Sequence, residues 1–445
     1  MFIIPEIQFV LDKEKDKIYI INLINAATSL INKDLYNKIL NLDFNGIDRA
    51  TLENLKKRRY LFETENEYKK FITSLEQSIE QKENESIPNF LLIPTYSCNL
   101  NCIYCYEKSY KIDNINTRNS IGIFNKYLTI IETILKKYII DNNKDVHITL
   151  MGGEPLMKKN LELIEHMLKN INSKGYSINI VTNGIELEYF LDLLTKYNVS
   201  HIQITLDGDS EINDKRRIYP KGGSSFAKII ENLKLALEKD LKVYLRVNVD
   251  EENITGLPNL ARILCKNFNN DKNLKPYIYL LQDGGCSGDD KIINENIGIN
   301  KIYELENKNP EMKIFHKKYH PAKFLQSIFE NKIYHPVMRH CGASKNQYIF
   351  DFNGRVYKCW HGIGSKESVC GEINDTIKFN SLNDIWKNRS TKNIKKCNNC
   401  KYRYICGTGC PAATHKEVTA DIIKTTSCVD YETLINTMII NHFNR

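Results

Sequence analysis

The 445 residues are enough for two or three domains, and hydrophobic and charged fractions of 42% and 26% are those of an ordinary globular protein. The net charge of +8 belongs to a chain rich in Lys, Asn and Ile, with no long Lys/Arg run or Arg–aromatic interleaving, so a nucleic-acid partner is not expected. The apolar start is interrupted by Glu6 and followed by charged Asp12–Lys17, which is neither a signal peptide nor a membrane span; thirteen cysteines then argue for metal ligation in a reducing cytoplasm rather than a disulfide framework.

Residues 1–85 begin hairpin-like (Ile7 to Val10, Ile18 to Ile21) and continue into short helical stretches around Leu35–Leu40 and Leu52–Leu55. Tyr60, Leu61 and Phe62 read as a wing strand. The helix after it carries Tyr68, Phe71, Ile72 and Leu75 on one stripe, and polar 81–86 reads as a linker. From Phe90 to about Leu281, short apolar runs alternate with helical periods, the pattern of a parallel sheet with crossover helices. Strands are expected at 90–95, 145–150, 176–182, 200–206, 241–249 and 275–281. Phe124, Tyr127, Leu128, Ile131, Ile134 and Leu135 mark the first helix, and six βα units make a partial barrel, assigned to 88–285.

Strand faces carry a functional hint. Val243, Leu245, Val247 and Val249 alternate with Tyr244, Arg246 and Asn248, and Ile202, Ile204 and Leu206 with Gln203 and Thr205. A closed eight-stranded barrel fills its interior with branched aliphatics, so a polar inner face implies an open lumen that admits a substrate. Residues 286–336 read as an irregular bridge and 337–445 as a region organised by cysteines.

The motifs converge on the carboxyl ends of the expected strands, the rim on which barrel enzymes build active sites. Cys98, Cys102 and Cys105 follow the first strand, Gly152-Gly153-Glu154-Pro155 the second, Thr182-Asn183-Gly184 the third and Leu206-Asp207-Gly208 the fourth. Three thiolates on one loop ligate three corners of an iron–sulfur cubane and leave one iron open, whereas closed clusters and structural zinc sites take four ligands. A three-Cys zinc loop is the alternative. Gly152 and Gly153 are expected to let backbone approach a ligand.

The C-x3-C-x2-C loop, with an aromatic before its last cysteine, resembles the signature of radical S-adenosyl-L-methionine (SAM) enzymes, and Gly152–Pro155 resembles their GGEP segment. The resemblance implies a 4Fe–4S cluster whose open iron chelates SAM and whose electron cleaves it to a 5′-deoxyadenosyl radical. It further implies Glu154 on the SAM ammonium, Tyr104 at the adenine, Asn183 within the SAM set, Thr205 and Asp207 at the ribose, and Arg217, with Arg216 a close rival, on the carboxylate.

Cys341, then Gly354 and Cys359, then Cys397-x2-Cys400-x5-Cys406-x3-Cys410 and Cys428 resemble the SPASM extension, which carries two auxiliary 4Fe–4S clusters, three clusters in all. A zinc ribbon fits Cys397, Cys400, Cys406 and Cys410 alone. By the resemblance one auxiliary cluster takes Cys341, Cys359 and Cys410, and the other Cys397, Cys400, Cys406 and Cys428. Cys370 is the candidate fourth ligand of the first set; an open iron or an unligated Cys370 are the alternatives. Cys286, after the sixth strand, is a candidate hydrogen donor. Cys265 reads as a buried hydrophobe and His361 as a packed histidine.

The expectation is an α/β radical SAM partial barrel with an N-terminal winged-helix-like region that binds a peptide leader and a C-terminal SPASM domain. Its implied partners are a ribosomally made precursor peptide and a low-potential electron donor such as flavodoxin or ferredoxin. The expected reaction is Cys thioether crosslinking. The alternatives are formylglycine formation by an anaerobic sulfatase maturase, peptide epimerisation and carbon–carbon crosslinking. Sulfatase maturases usually place an Asp after the G-x4-C cysteine, where this chain has Trp360. A non-catalytic cluster protein is the reading from another class.

Overall fold

The computed structural model describes residues 1–107, 117–268, 271–281, 292–317, 322–414 and 418–443. Cys286 and the adjoining glycines lie outside the described residues. All six expected barrel strands are present: Asn89–Ile93, His147–Leu150, Ser177–Thr182, His201–Thr205, Val243–Val249 and Leu274–Leu280. They pair in parallel in that order. Val243, Leu245, Val247 and Val249 are fully buried in the main core cluster, as are Ile202 and Ile204. The same cluster takes Phe124, Tyr127, Leu128, Ile131 and Leu135 of helix Thr117–Leu135. Side-chain caps fix two crossover helices: Asp209 accepts from Ile212 N at the start of Ser210–Arg216, and Ser224 from Ala227 N at Ser225–Glu238.

The sheet continues beyond the barrel on both sides. His316–Lys317 pairs in parallel with the sixth strand, and Gln347–Asp351 pairs in parallel with the first. Three antiparallel strands follow, Arg355–Tyr357, Gly371–Ile373 and Ile377–Phe379, so the barrel stays open, with sheet edges at His316–Lys317 and Ile377–Phe379. The expectation that cysteines alone organise the last third is therefore corrected. Every residue of Gln347–Asp351 is buried, so its short run has no two-residue polar alternation to betray a strand. Its terminal carboxylate, Asp351, is satisfied by Tyr96 Oη at 2.8 Å, Tyr357 Oη at 3.3 Å and the amides of Asn353 and Arg355.

In the N-terminal region Ile7–Asp12, Lys17–Asn22 and Thr28–Ile31 form an antiparallel sheet, and Phe2–Ile3 pairs with Leu61–Phe62. Helices Lys33–Leu40 and Arg49–Lys57 lie between, near their expected places, and Glu65–Glu85 follows the wing strand. That last helix runs through residues read as a linker. Its polar end faces the cysteine-rich third: buried Glu83 pairs with Arg339 and Lys345, each at 3.2 Å, and accepts from Met338 N. Nearby Glu6 pairs with Arg403 at 3.1 Å and accepts from Tyr68 Oη at 2.7 Å. Among the described residues no helix is long and apolar enough to cross a membrane.

Candidate active site

The loop bearing Cys98, Cys102 and Cys105 is clamped from two sides. On one side Gly153 N donates to Thr95 O at 3.0 Å and Glu154 N to Ser97 O at 2.8 Å. Gly152 has φ +140°, and a Cβ there would lie 2.5 Å from Thr95 O; one at Gly153 would strike the carbonyls of Tyr96 and Ser97. These glycines permit a close approach to the cysteine loop's own backbone. On the other side Asn101–Cys102 pairs antiparallel with Arg217–Ile218, Arg217 opposite Cys102, and Ile103 N donates to Arg216 O at 3.0 Å.

Glu154 is buried between the second and third strand ends. Its Oε1 accepts from Leu156 N at 2.8 Å and Thr182 Oγ1 at 2.7 Å, and its Oε2 from Asn183 N. Burial pushes the carboxyl up to about 7 against the opposing pull of those donors and of Arg217. Pro155 O accepts from Asn160 Nδ2 at 3.2 Å, which fixes the turn. The Asn183 amide donates to Asn99 Oδ1 at 2.7 Å and reaches Cys98 Sγ at 3.7 Å, joining the third-strand motif to the cysteine loop.

Tyr104 centres a second network. Its hydroxyl donates to Asp207 Oδ2 at 2.5 Å and accepts from Arg217 Nη1 at 2.8 Å and Asn248 Nδ2 at 3.3 Å. Asp207 Oδ1 also accepts from Asn248 N. Arg216 is ion-paired with Asp250 at 2.8 Å and Asp207 at 3.5 Å. Arg217, equally buried, makes no ion pair among the described residues, and its Nε lacks a hydrogen-bond partner. Thr205 is buried at the end of the fourth strand, opposite Arg246 in the ladder.

The lumen side is polar, as its strand faces imply. Arg246 lies over the Tyr279 ring at 4.0 Å and donates to Asn248 Oδ1 at 2.7 Å; Tyr277 Oη donates to Gln203 Oε1 at 2.7 Å. His361 meets Tyr106 of the cysteine loop, ring centroids 5.3 Å apart. Burial, with Arg246 adding, holds the imidazole below its usual range. Asn248, Arg246 and His361 were not singled out as site residues from sequence, although the first two stand on the polar strand face that signalled the lumen.

The remaining cysteines fall into two neighbourhoods. Burial pushes the thiols of Cys359 and Cys410 up, Cys410 to about 11, with Cys341 adding to both and Cys410 to Cys359. Burial likewise lifts Cys406 to about 11, with Cys397, Cys400 and Cys428 adding. The structure thus brings together Cys341, Cys359 and Cys410, and separately Cys397, Cys400, Cys406 and Cys428. Cys370 is fully buried in the apolar cluster that contains Cys359 and packs Cys341 and Cys410; its thiol donates to Ser368 O at 3.5 Å, beside the buried ammonium of Lys358. Among the described residues no three His, Cys, Asp or Glu side chains converge on a single-ion site. At the rim, three half-buried thiols on a doubly clamped loop, a buried carboxylate and an unpaired guanidinium edge form a donor set that suits a thiolate-bound cluster and a zwitterionic ligand with a carboxylate and an ammonium.

Residues 92–264 match the model of the Radical SAM superfamily. The chain is 26% identical to the radical SAM cyclopropyl synthase TigE of Paramaledivibacter caminithermalis, over 86% of this chain and 80% of that protein. It is 22% identical to a cysteine-type anaerobic sulfatase-maturating enzyme of Clostridium novyi, over 72% of this chain and 87% of that protein. Among solved structures, anSMEcpe with bound AdoMet and the Cp18Cys peptide superposes with a TM-score of 0.56 at 15% identity, covering 80% of this chain and 100% of that one. SuiB of Streptococcus suis does so with a TM-score of 0.50 at 16% identity, covering 94% and 99%.

Proposed function

We propose that this radical SAM enzyme is a peptide maturase that oxidatively joins a Cys sulfur to a carbon of a ribosomally made peptide. The observation that carries the proposal is the polar lumen of Gln203, Arg246, Asn248, Tyr277 and Tyr279 beside the cofactor-type rim, whose Tyr106 meets His361, two residues from Cys359. When bound, SAM and the cluster of Cys98, Cys102 and Cys105 would supply a hydrogen-abstracting radical at that rim. Glu154 and Arg217 would orient the methionyl ammonium and carboxylate, and Tyr104, Thr205, Asp207 and Asn248 the nucleoside end. The two other thiol neighbourhoods would each hold a 4Fe–4S cluster, with Cys370 the candidate fourth ligand of the first. Bound there, such clusters would supply an acceptor for the second electron that bond formation releases, and a set of Cys341, Cys359 and Cys410 without a fourth ligand would leave a place for the substrate sulfur as thiolate. A low-potential carrier such as flavodoxin or ferredoxin supplies the initiating electron, in the cytoplasm.

Two relatives define the competing chemistries. Likeness to a cyclopropyl synthase over most of the chain favours carbon–carbon ring closure as the second reading. Formylglycine formation is disfavoured because Trp360, not an acid, follows Cys359 and projects partly into solvent. Mass spectrometry of a co-expressed precursor decides. Each thioether removes two hydrogens and leaves the linked Cys inert to iodoacetamide; the same mass loss with every thiol still alkylated indicates carbon–carbon closure. An unchanged mass with a D-residue, or an aldehyde trapped by hydrazine, overturns both.

A further inference from the structure

We propose that Arg389 is a shared counter-charge for the two C-terminal cysteine neighbourhoods and raises the reduction potential of the metal–thiolate group in each; this rests on the reading that both hold iron–sulfur clusters. The Arg389 side chain is buried, and its position is fixed by four backbone carbonyls. Nη2 donates to Thr408 O and Gly409 O, each at 3.1 Å, and Nη1 to Thr425 O at 2.5 Å and to Ile423 O. Thr408 and Gly409 lie in the loop between Cys406, of one neighbourhood, and Cys410, of the other; Ile423 and Thr425 precede Cys428.

That loop has a special backbone. Gly407, Thr408 and Gly409 have φ of +61°, +91° and +69°, three consecutive left-handed residues. A Cβ at Gly407 would lie 2.7 Å from the Arg339 backbone, and one at Gly409 would strike Ser427 O. Packing therefore imposes a shape in which two successive carbonyls turn onto one guanidinium.

Carbonyls satisfy both terminal nitrogens, while Nε is buried without a partner, and none of them neutralises the charge. No carboxylate pairs with Arg389 among the described residues, and a buried cation without an anion costs several kcal/mol. The groups within electrostatic reach, anionic once they ligate metal, are the sulfurs of Cys341 and Cys410 from one neighbourhood and of Cys397 and Cys406 from the other. Two from each set makes Arg389 common to both. One-electron reduction adds negative charge to a cluster that is already anionic, so a fixed cation favours the reduced state and raises the potential.

The test uses the full chain, reconstituted anaerobically with iron and sulfide, in dithionite titrations followed by electron paramagnetic resonance. Arg389→Gln should move both auxiliary midpoints to more negative values, and Arg389→Lys should leave them near wild type. The cluster of Cys98, Cys102 and Cys105 is the internal reference and should not move. Iron-replete Arg389→Gln with unchanged midpoints, a shift confined to one cluster, or an equal shift in Arg389→Lys overturns the proposal. If Arg389→Gln folds but retains no auxiliary iron, full loading of Arg389→Lys supports the counter-charge, and its failure to load overturns it. Wild-type protein that takes up no more than about four irons refutes the underlying cluster reading instead, and the inference with it.

Discussion

Glu154 shows how one side chain couples the strand ends to pH. Burial raises its carboxyl from the usual 4.5 to about 7, so the fold is favoured when the group is protonated. The stabilisation is complete below about pH 4.5 and is lost as pH rises through 7, on the order of 3 kcal/mol over that window. In cluster-free protein, urea midpoints between pH 5 and 8 should fall more steeply for wild type than for Glu154→Gln; parallel slopes would show that the carboxylate is ionised throughout. Gly153 poses a steric question. Gly153→Ala forces a methyl group into the Tyr96 and Ser97 carbonyls and should cost about 1–3 kcal/mol. On the proposed reading of three clusters, reconstituted Gly153→Ala should also lose about a third of its iron, that of the one cluster assigned to this loop. What sequence conveyed here was residue identity rather than partner. Gly152 and Gly153 were legible as positions of close approach, but the approaching group is the loop of Thr95–Ser97, brought there by pairing of strands 55 or so residues apart. The Arg216 and Arg217 alternatives, adjacent in sequence, differ only in which carboxylates the fold sets beside them.

At the scale of elements, the six barrel strands were legible because one face of each is aliphatic and the connecting helices have apolar stripes. Gln347–Asp351 was not, because all five residues are buried although Gln347 and Asp351 are polar, so the run reads as neither alternating nor continuously apolar. The polar segment at the end of Glu65–Glu85 misled for a related reason: its charge faces another part of the protein. Glu83→Ala should leave the largely buried Arg339 without its main partner and cost about 3–5 kcal/mol, measurable by denaturant unfolding. A loss below 1 kcal/mol would mean that Glu80 or solvent compensates the guanidinium. This contact also makes removal of residues 1–85 a poor test of leader recognition, since the deletion would strip buried partners from the cysteine-rich third. The edge strand Thr28–Ile31, with Leu30 59% exposed, offers a local one. If a leader adds a strand there, Leu30→Pro should weaken precursor binding at least tenfold while SAM cleavage without peptide persists. Unchanged binding would assign the region to a structural cap.

For the molecule as a whole, the cluster reading fixes a stoichiometry of about twelve irons per chain. Replacing Cys98, Cys102 and Cys105 by Ala should remove about a third of that iron and all 5′-deoxyadenosine formation. Retention of either full iron or full cleavage would place the SAM cluster elsewhere. Continuity of the sheet has a temporal consequence. The strand that launches the reactive loop, Asn89–Ile93, has one edge bound to a neighbour about 55 residues on, and the other to Gln347–Asp351, roughly 250 residues later. At ribosomal rates of about 5–20 residues per second, that second edge stays open for roughly 10–50 s before its partner emerges. The loop's foundation is therefore finished only after the whole barrel has been synthesised. Iron supplied before Gln347–Asp351 has paired would meet thiols on an incomplete scaffold, so productive metallation belongs after that pairing, and the unpaired strand edge is the aggregation hazard to guard during expression.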